Sequence, residues 1–348
     1  MIKVLHYSTF AMSISMACLS SNTYAETAPL VFYTWEDYID PSIITDWQNE
    51  TGIPIKLVYY DDEAQRNLVL SREESAKIDL AVVDNATIHI LSGAGHLSTI
   101  PTYNETTYWP DACGKYGRQY FWGTYGIVYR EDKVNSPVTS WRDLLNPEPY
   151  LKGHIGMLGQ SDELLTAALS GMGYPINTTE NTHLEQAFSL LKVQSHYVTT
   201  YDYVYTYVLS NPDQSNVWIA PAYSGDQYGL NDIQGIDSWR YVVPEEGAIV
   251  WVDCLTVTQE SDRKEEALAF IDYLSRVDNS ARNSEFLWTA SPYVKVQELV
   301  SDELRADSNV YFEDEKLAKA TPFHGLSGRE ILKRTRIKDA LLRYYDSN

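Results

Sequence analysis

The chain has 348 residues, with 27 Lys plus Arg against 48 Asp plus Glu and a formal net charge of -21. This length fits one large domain or two of ordinary size, and the 44% hydrophobic and 22% charged residues argue against a disordered, collagen-like or polytopic membrane protein. The acidic balance argues against a nucleic-acid partner, because phosphates require Lys and Arg. It fits a cationic partner, although acidity also serves solubility alone.

The first 25 residues have the pattern of a secretory signal peptide. Lys3 precedes a mostly apolar stretch at residues 10–19, which is too short to span a bilayer, and small polar residues lead to Ala25. We therefore predict cleavage after Ala25. Cys113 and Cys254 remain in the mature chain, and the sequence leaves open whether they form a disulfide.

Strands and helices alternate along the mature N-terminal segment. Strands are predicted at residues 30–34, 53–60 and 78–83, with helices at 43–49 and 63–74 between them. This order predicts parallel pairing in an α/β layer.

The remaining chain repeats this pattern. Strands are predicted at residues 120–129, 154–158, 217–220 and 248–257, and helices at 141–145, 163–170, 184–191, 267–274 and 327–345. Capping boxes are predicted for the last three helices, at Thr182 with Glu185, Asp262 with Glu265, and Ser327 with Glu330. Since no Pro/Ser-rich linker separates the two α/β units, we expect two lobes joined by crossing strands.

Motifs of enzyme chemistry are absent from the sequence. It has no G-x-G-x-x-G after the first strand, no G-x-x-x-x-G-K-[ST], no H-E-x-x-H, no C-x-x-C and no G-x-S-x-G. The seven His are scattered, and the tyrosine pairs at 59–60 and 344–345, a feature of some ferric-ion-binding proteins, are expected by chance among 27 Tyr. We therefore predict no catalytic residues, no metal site and no cofactor.

Four short stretches place carboxylates near predicted strand ends, most of them beside an indole or a phenol. They are residues 33–38, 83–85, 222–226 and 245–253. Ligands of open α/β sheets bind outside the carboxyl ends of strands. Aromatic faces attract cations, and each buried ammonium needs a carboxylate, so the pattern predicts a ligand of methylenes punctuated by ammonium groups. The candidate acids are Glu36, Asp84, Glu163, Asp226 and Asp253.

The sequence resembles the periplasmic spermidine/putrescine-binding proteins, the type II solute-binding fold that serves polyamine ABC transporters. The resemblance covers nearly the whole mature chain, and its stretches include FYTWEDY from Phe32, FWGTYGIVY from Phe121 and PEEGAIVWVDCL from Pro244. It implies a periplasmic protein of two α/β lobes with a hinge between them. The implied lobes are residues 26–130 plus 254–298 and residues 131–253 plus 299–348.

The resemblance also implies roles for individual residues. Trp35 and Tyr38 would stack on the ligand from one side and Trp251 from the other. Asp253 would bind a central amine, and Glu163 would bind a terminal amine.

In the second lobe the sequence departs from the family pattern. Asp226 matches an aromatic-x-Gly-Asp form seen on the putrescine side of the family, with Tyr223 where Trp is usual. Gln160 stands where the spermidine binders have a second acid, although a shift of the alignment would bring Asp162 there.

Two departures fall in the first lobe. Asp84 replaces a Ser, and Trp288 is the candidate to replace an expected Tyr. An acid lost at residue 160 and one gained at 84 indicate relocated amine contacts, so the length of the polyamine stays open.

Two downstream roles follow from the resemblance. One is delivery of the polyamine to the permease of an ABC transporter. The other is sensing, in which the liganded protein binds a membrane-bound cyclic-di-GMP signalling receptor and controls biofilm formation, as in a norspermidine-responsive branch of the family.

Overall fold

A computed structural model describes residues 28–312, 317–323 and 325–347, so the predicted signal peptide lies outside the described residues. The strands are β1 Leu30–Thr34, β2 Ile55–Tyr59, β3 Leu80–Asp84, β4 Gly117–Arg130, β5 Ile155–Gly156, β6 Val198–Thr200, β7 Ile219–Tyr223, β8 Trp239–Val242, β9 Ile249–Val257 and β10 Thr321–Pro322. Within these ranges, no helix has the length and apolar character needed to cross a membrane.

The α-helices alternate with the strands in the N-terminal part of the chain, and some of the later ones come in consecutive pairs or triples. They are α1 Pro41–Thr51, α2 Glu63–Leu70, α3 Thr87–Gly93, α4 Trp141–Leu145, α5 Ser161–Gly171, α6 Asn181–Gln194, α7 Val204–Ser210, α8 Asp226–Gln234, α9 Lys264–Leu274, α10 Val277–Leu287, α11 Asp302–Ala306 and α12 Gly328–Asp346. Single 3₁₀ turns lie at Glu73–Lys77, Pro149–Leu151, Ser195–Tyr197 and Val294–Glu298. The predicted helix at 63–74 is thus an α-helix that ends at Leu70, followed by a 3₁₀ turn.

The fold is two α/β lobes connected through shared strands. The strands lie in the order β2-β1-β3-β9-β4-β7-β5-β6, and the pairs β1–β2 and β1–β3 are parallel, as predicted for the N-terminal unit. The long strands β4 and β9 pair antiparallel across the middle. One part of β4 lies in the first lobe beside β9, and its later part, Tyr125–Arg130, pairs with β7 and β8 in the second. The hinge therefore consists of crossing strands.

The predicted helix caps are correct at one helix and wrong at two. At α12 the Ser327 hydroxyl accepts from the Glu330 amide, and the Glu330 carboxylate accepts from the Ser327 amide. Helix α6 begins after Glu180, so Thr182 already lies inside its first turn. Helix α9 begins after Arg263, whose amide binds the hydroxyl of Ser261, so the chain turns before the predicted box.

Cys113 and Cys254 form a disulfide, which answers the question left open by the sequence. Both residues are buried. The bond ties the segment between α3 and β4 to β9, one residue after Asp253. It thus cross-links the first lobe directly beside the predicted ligand site.

The predicted lobe boundaries stay a prediction, and the packing suggests one revision. Val300, Leu304 and Phe312 belong to the same hydrophobic cluster as Leu97 and Cys113 of the first lobe. Helix α12, at Gly328–Asp346, contributes instead to the second lobe, because it packs against α5 and α6. We propose that residues 299–312 belong to lobe one.

Candidate ligand-binding site

A cavity of about 960 Å³ lies between the two lobes. Its walls contain the residues that follow or end β1, β2, β3 and β7, together with two side chains from β9. Carboxyl ends of strands are where open α/β sheets bind ligands, because the loops there converge on one crevice.

Ten of the eleven predicted site residues line this cavity. They are Trp35, Glu36, Tyr38, Asp84, Gln160, Glu163, Tyr223, Asp226, Trp251 and Asp253. The eleventh, Trp288, is not part of the wall, although Thr289 is. The Trp288 indole donates instead to Asp307 at 2.8 Å, and Asp307 also accepts from the hydroxyl of Tyr228 on α8. Trp288 therefore takes part in a contact between the lobes.

The first wall of the cavity comprises the lining residues that end or follow β1, β2 and β3, those of β9 and the start of α2. Asp253 is its central acid. It is 7% exposed on β9 and accepts a 2.6 Å hydrogen bond from the hydroxyl of Tyr38. The Tyr38 ring packs edge-on against Tyr120 and Phe121, which fixes its position. Burial raises the pKa of Asp253 to about 6, although the Tyr38 hydrogen bond acts to lower it.

Aromatic rings flank Asp253. Trp35 lies 4.4 Å from Tyr60 between ring centroids, so the two rings form one aromatic surface after β1 and β2. Trp251 shares a strand face with Asp253, as their spacing predicts. The Trp251 indole lies over Gly123 of β4, the residue directly opposite it in the sheet.

The second wall of the cavity is formed mainly by the lining residues of α5, β7 and the start of α8. Two of its acids each accept a hydrogen bond from a tyrosine hydroxyl. Asp226, the first residue of α8, accepts from the Tyr203 hydroxyl at 2.5 Å and from the Tyr223 amide at 2.8 Å. Glu163 on α5 accepts from the Tyr223 hydroxyl at 3.3 Å. Burial raises the pKa of Asp226 to about 6, and burial together with the neighbouring Asp162 raises the pKa of Glu163 to about 7.

Asp84 lines the cavity but already has partners inside the protein. One carboxylate oxygen lies 2.7 Å from the guanidinium of Arg66, and the other accepts from the amides of Ala86 and Thr87 at the start of α3. Burial acts to raise the pKa of Asp84, but Arg66 and the Thr87 hydrogen bonds together hold it below its usual value. The sequence predicted Asp84 as a free amine ligand and gave no indication of this ion pair.

Many cavity residues were not among the predicted set, including Glu63, Tyr60 and Tyr203. Glu63 begins α2, and burial together with Asp84 raises its pKa to about 8, against the opposing effect of Arg66. Tyr60 and Tyr203 contribute a ring and a hydroxyl to the two walls. Residues 59–63 are Tyr-Tyr-Asp-Asp-Glu and begin at the last residue of a strand. They combine phenols with carboxylates as the predicted stretches do, so Glu63 was predictable from the sequence.

The acids that line the cavity have the chemistry expected of a cation-binding site. The raised pKa values on both walls mean that ionisation of these carboxyl groups is unfavourable. A multiply charged cation between the walls would stabilise the ionised carboxylates. Within the part of the chain that the structure describes, no group of three or more His, Cys, Asp or Glu is arranged to hold a metal ion. The two lobes and the cleft between them define a solute-binding protein of the type II class.

Comparisons with known proteins agree. Residues 84–311 match the family of bacterial extracellular solute-binding proteins, and the chain belongs to this family, which binds solutes rather than catalysing reactions. It is 33% identical over 339 residues to a norspermidine sensor of Vibrio cholerae, covering 96% of this chain and 94% of that protein. It is 28% identical to the putrescine-binding periplasmic protein SpuD of Pseudomonas aeruginosa, covering 90% and 91% of the two chains.

Solved structures show the same fold. The chain superposes on the spermidine/putrescine ABC transporter substrate-binding protein PotD of Streptococcus pneumoniae with a TM-score of 0.77. The two sequences are 24% identical, and the match covers 92% of this chain and all (100%) of the other. The expected two-lobed α/β fold is thereby confirmed.

Proposed function

We propose that this protein binds a linear polyamine in the periplasm, without catalysing a reaction. The observation that carries the proposal is the pairing of acids and aromatic rings on both walls of one cavity. Glu63 and Asp253 face Glu163 and Asp226 across it, and burial is the leading cause that raises the pKa of all four carboxyls. A chain of ammonium groups and methylenes fits this lining, because the ammonium groups pair with the acids and the methylenes pack against the aromatic rings.

The residue roles follow from the geometry together with the resemblance. Trp35 and Trp251 contact the methylenes, and Asp253 receives an inner ammonium. Glu163 and Asp226 receive the ammonium groups at the second-lobe end. Relatives named for norspermidine, spermidine and putrescine binding support this ligand class.

Substitution of Asp253 by Asn tests this proposal. Titration calorimetry of the mature protein with putrescine, spermidine and norspermidine should show binding, and Asp253→Asn should weaken it by about a hundredfold or more, because a desolvated ammonium loses its counter-charge. The substitution keeps the shape of the side chain and its contact with Tyr38. Absence of heat with all three polyamines would disprove the proposal.

Asp213→Asn is the matched control. Asp213 is exposed and lies outside the cavity wall, so this variant removes the same charge from the protein without altering the site. It should bind as the unaltered protein does. If both variants lost affinity equally, the effect would be one of overall charge.

The liganded protein has two candidate partners in the membrane. The first is the permease of an ABC transporter, the role that the names of two structurally similar proteins suggest. The second is a membrane-bound signalling receptor, favoured by the 33% identity to a norspermidine sensor over almost the whole chain. Uptake of labelled polyamine by cells lacking the gene separates them, because only the transport role predicts reduced uptake, whereas sensing predicts altered biofilm formation at unchanged uptake.

A further inference from the structure

Arg66 is a buried cation directly behind the acids of the first wall. Its side chain is fully buried on α2, with one terminal nitrogen 2.7 Å from Asp84 and the other 3.7 Å from Glu63. It also donates to the side-chain oxygen of Asn67 at 3.0 Å and to the hydroxyl of Thr87 at 3.3 Å. The guanidinium is therefore held in one position by several partners, and it does not itself line the cavity.

The strand register explains why a cation is needed there. Asp84 on β3 lies directly opposite Asp253 on the antiparallel strand β9. Directly opposed side chains share one face of a sheet, and like charges in that arrangement repel. Two carboxylates so placed require a positive charge, which either a ligand ammonium or a protein side chain can supply.

We propose that Arg66 takes the place of one ligand ammonium and so determines how many ligand charges the site prefers. This inference rests on the proposed polyamine binding and assigns its specificity. Arg66 acts through Asp84 and Glu63, so it is a positioning residue rather than a ligand contact. A polyamine with one more ammonium meets a carboxylate that is already neutralised and a like charge behind it, whereas a shorter polyamine does not.

The test compares ligands of increasing charge. Titration calorimetry gives the affinities for putrescine, norspermidine and spermine, and the measured quantity is the ratio of spermine affinity to putrescine affinity. In Arg66→Gln this ratio should rise about tenfold or more, the effect of one added charge-assisted hydrogen bond. In the double variant Arg66→Gln with Asp84→Asn, the ratio should fall back towards the unaltered value, because the main acid that Arg66 neutralises is gone.

Asp84→Asn alone tests the inference in the opposite direction. Arg66 then keeps its charge and loses its main partner, so the ratio should fall below that of the unaltered protein. This variant and the double variant decide the question if circular dichroism shows that Arg66→Gln does not fold. An unchanged ratio in Asp84→Asn would overturn the inference, as would equal weakening of all three ligands in Arg66→Gln.

Arg118→Gln is the matched control. Arg118 is also a buried arginine of the first lobe, 6% exposed and 2.6 Å from Asp272, but it lies outside the main cavity. Its loss should leave the ratio unchanged, and a similar change there would overturn the inference. If the unaltered protein bound none of the three polyamines, the proposed function itself would fail, which is a different result from an unaltered ratio.

Discussion

At the scale of single residues, Gly123 determines where the Trp251 indole lies. The two residues are directly opposite each other in β4 and β9. A Cβ atom at position 123 would lie 2.5 Å from Cζ2 of the indole and 2.7 Å from the hydroxyl oxygen of Ser224. Such contacts are too short, so any side chain at this position forces the indole to move away from the sheet.

Gly123→Ala should therefore weaken polyamine binding by about tenfold and lower the free energy of unfolding by about 1–3 kcal/mol, the usual cost of overpacking. Calorimetry measures the affinity, and urea unfolding measures the stability. Gly328→Ala is the control, because a Cβ there meets open space. Unchanged affinity in Gly123→Ala would contradict the assignment of Trp251 to the ligand.

The sequence predicted well which side chains at strand ends line the cavity. It predicted poorly which hydrogen bonds and ion pairs those side chains form. Trp35 follows β1 and Asp84 ends β3, and both line the cavity because strand ends converge in any open α/β sheet. The pairing of Asp84 with Arg66 depends on how α2 packs beside β3, which no local pattern encodes. Trp288 turns away from the cavity because Asp307, 19 residues later, accepts its indole hydrogen.

At the scale of elements, strong local sequence patterns were sufficient to predict the bounds of helices and strands, and weak patterns were not. Strands β1 and β9 and helix α12 were predicted within about two residues, because long apolar runs or a genuine capping box define them. Helices α3 and α8 were not predicted, although both begin at the site. Their first turns are held by Asp84 and by the turn at Gly225, where φ is 104°, and these contacts arise from the fold.

The Cys113–Cys254 disulfide is the element-level feature with the largest expected effect on stability. It closes a long loop, since the two cysteines are 141 residues apart. Cross-links of this kind stabilise chiefly by restricting the unfolded chain, typically by about 2–5 kcal/mol. The double variant Cys113→Ala with Cys254→Ala should lose stability in this range, as measured by urea unfolding.

The ligand site should survive the loss of the disulfide. Asp253 is held independently by the Tyr38 hydroxyl and by its strand pairs with β3. We therefore expect polyamine affinity within about threefold of the unaltered protein under conditions where the double variant is folded. A large loss of affinity in folded protein would show that the cross-link, rather than the strand pairing, positions Asp253.

At the scale of the whole molecule, the net charge of -21 is less informative than the few acids that line the cavity. Most acids face solvent, where they are strongly screened. Burial raises the pKa of Asp226 and Asp253 to about 6 and that of Glu163 to about 7. These groups therefore stay partly protonated at pH values where free carboxyls are ionised.

The raised pKa values predict that polyamine binding is linked to proton release. Ammonium groups require ionised carboxylates, so binding lowers the pKa values of these three carboxyls and expels protons from them between about pH 5.5 and pH 7.5. Affinity should be at least about tenfold weaker at pH 5.5 than at pH 8, where Asp226, Asp253 and Glu163 are ionised before the ligand arrives. Calorimetry at pH 6.5 in two buffers of different ionisation enthalpy measures the protons released.

The same groups predict the pH dependence of stability. Each has a higher pKa in the folded protein than in the unfolded chain, so the folded state binds more protons between about pH 4.5 and pH 7. Their contribution to the free energy of unfolding is therefore present below about pH 4 and is lost as the pH rises through 6 to 7. Bound polyamine offsets this loss, so the ligand-induced rise in melting temperature should be larger at pH 8 than at pH 5.5. An equal rise at both pH values, with no proton release, would mean that the ligand ammonium groups do not meet these carboxylates.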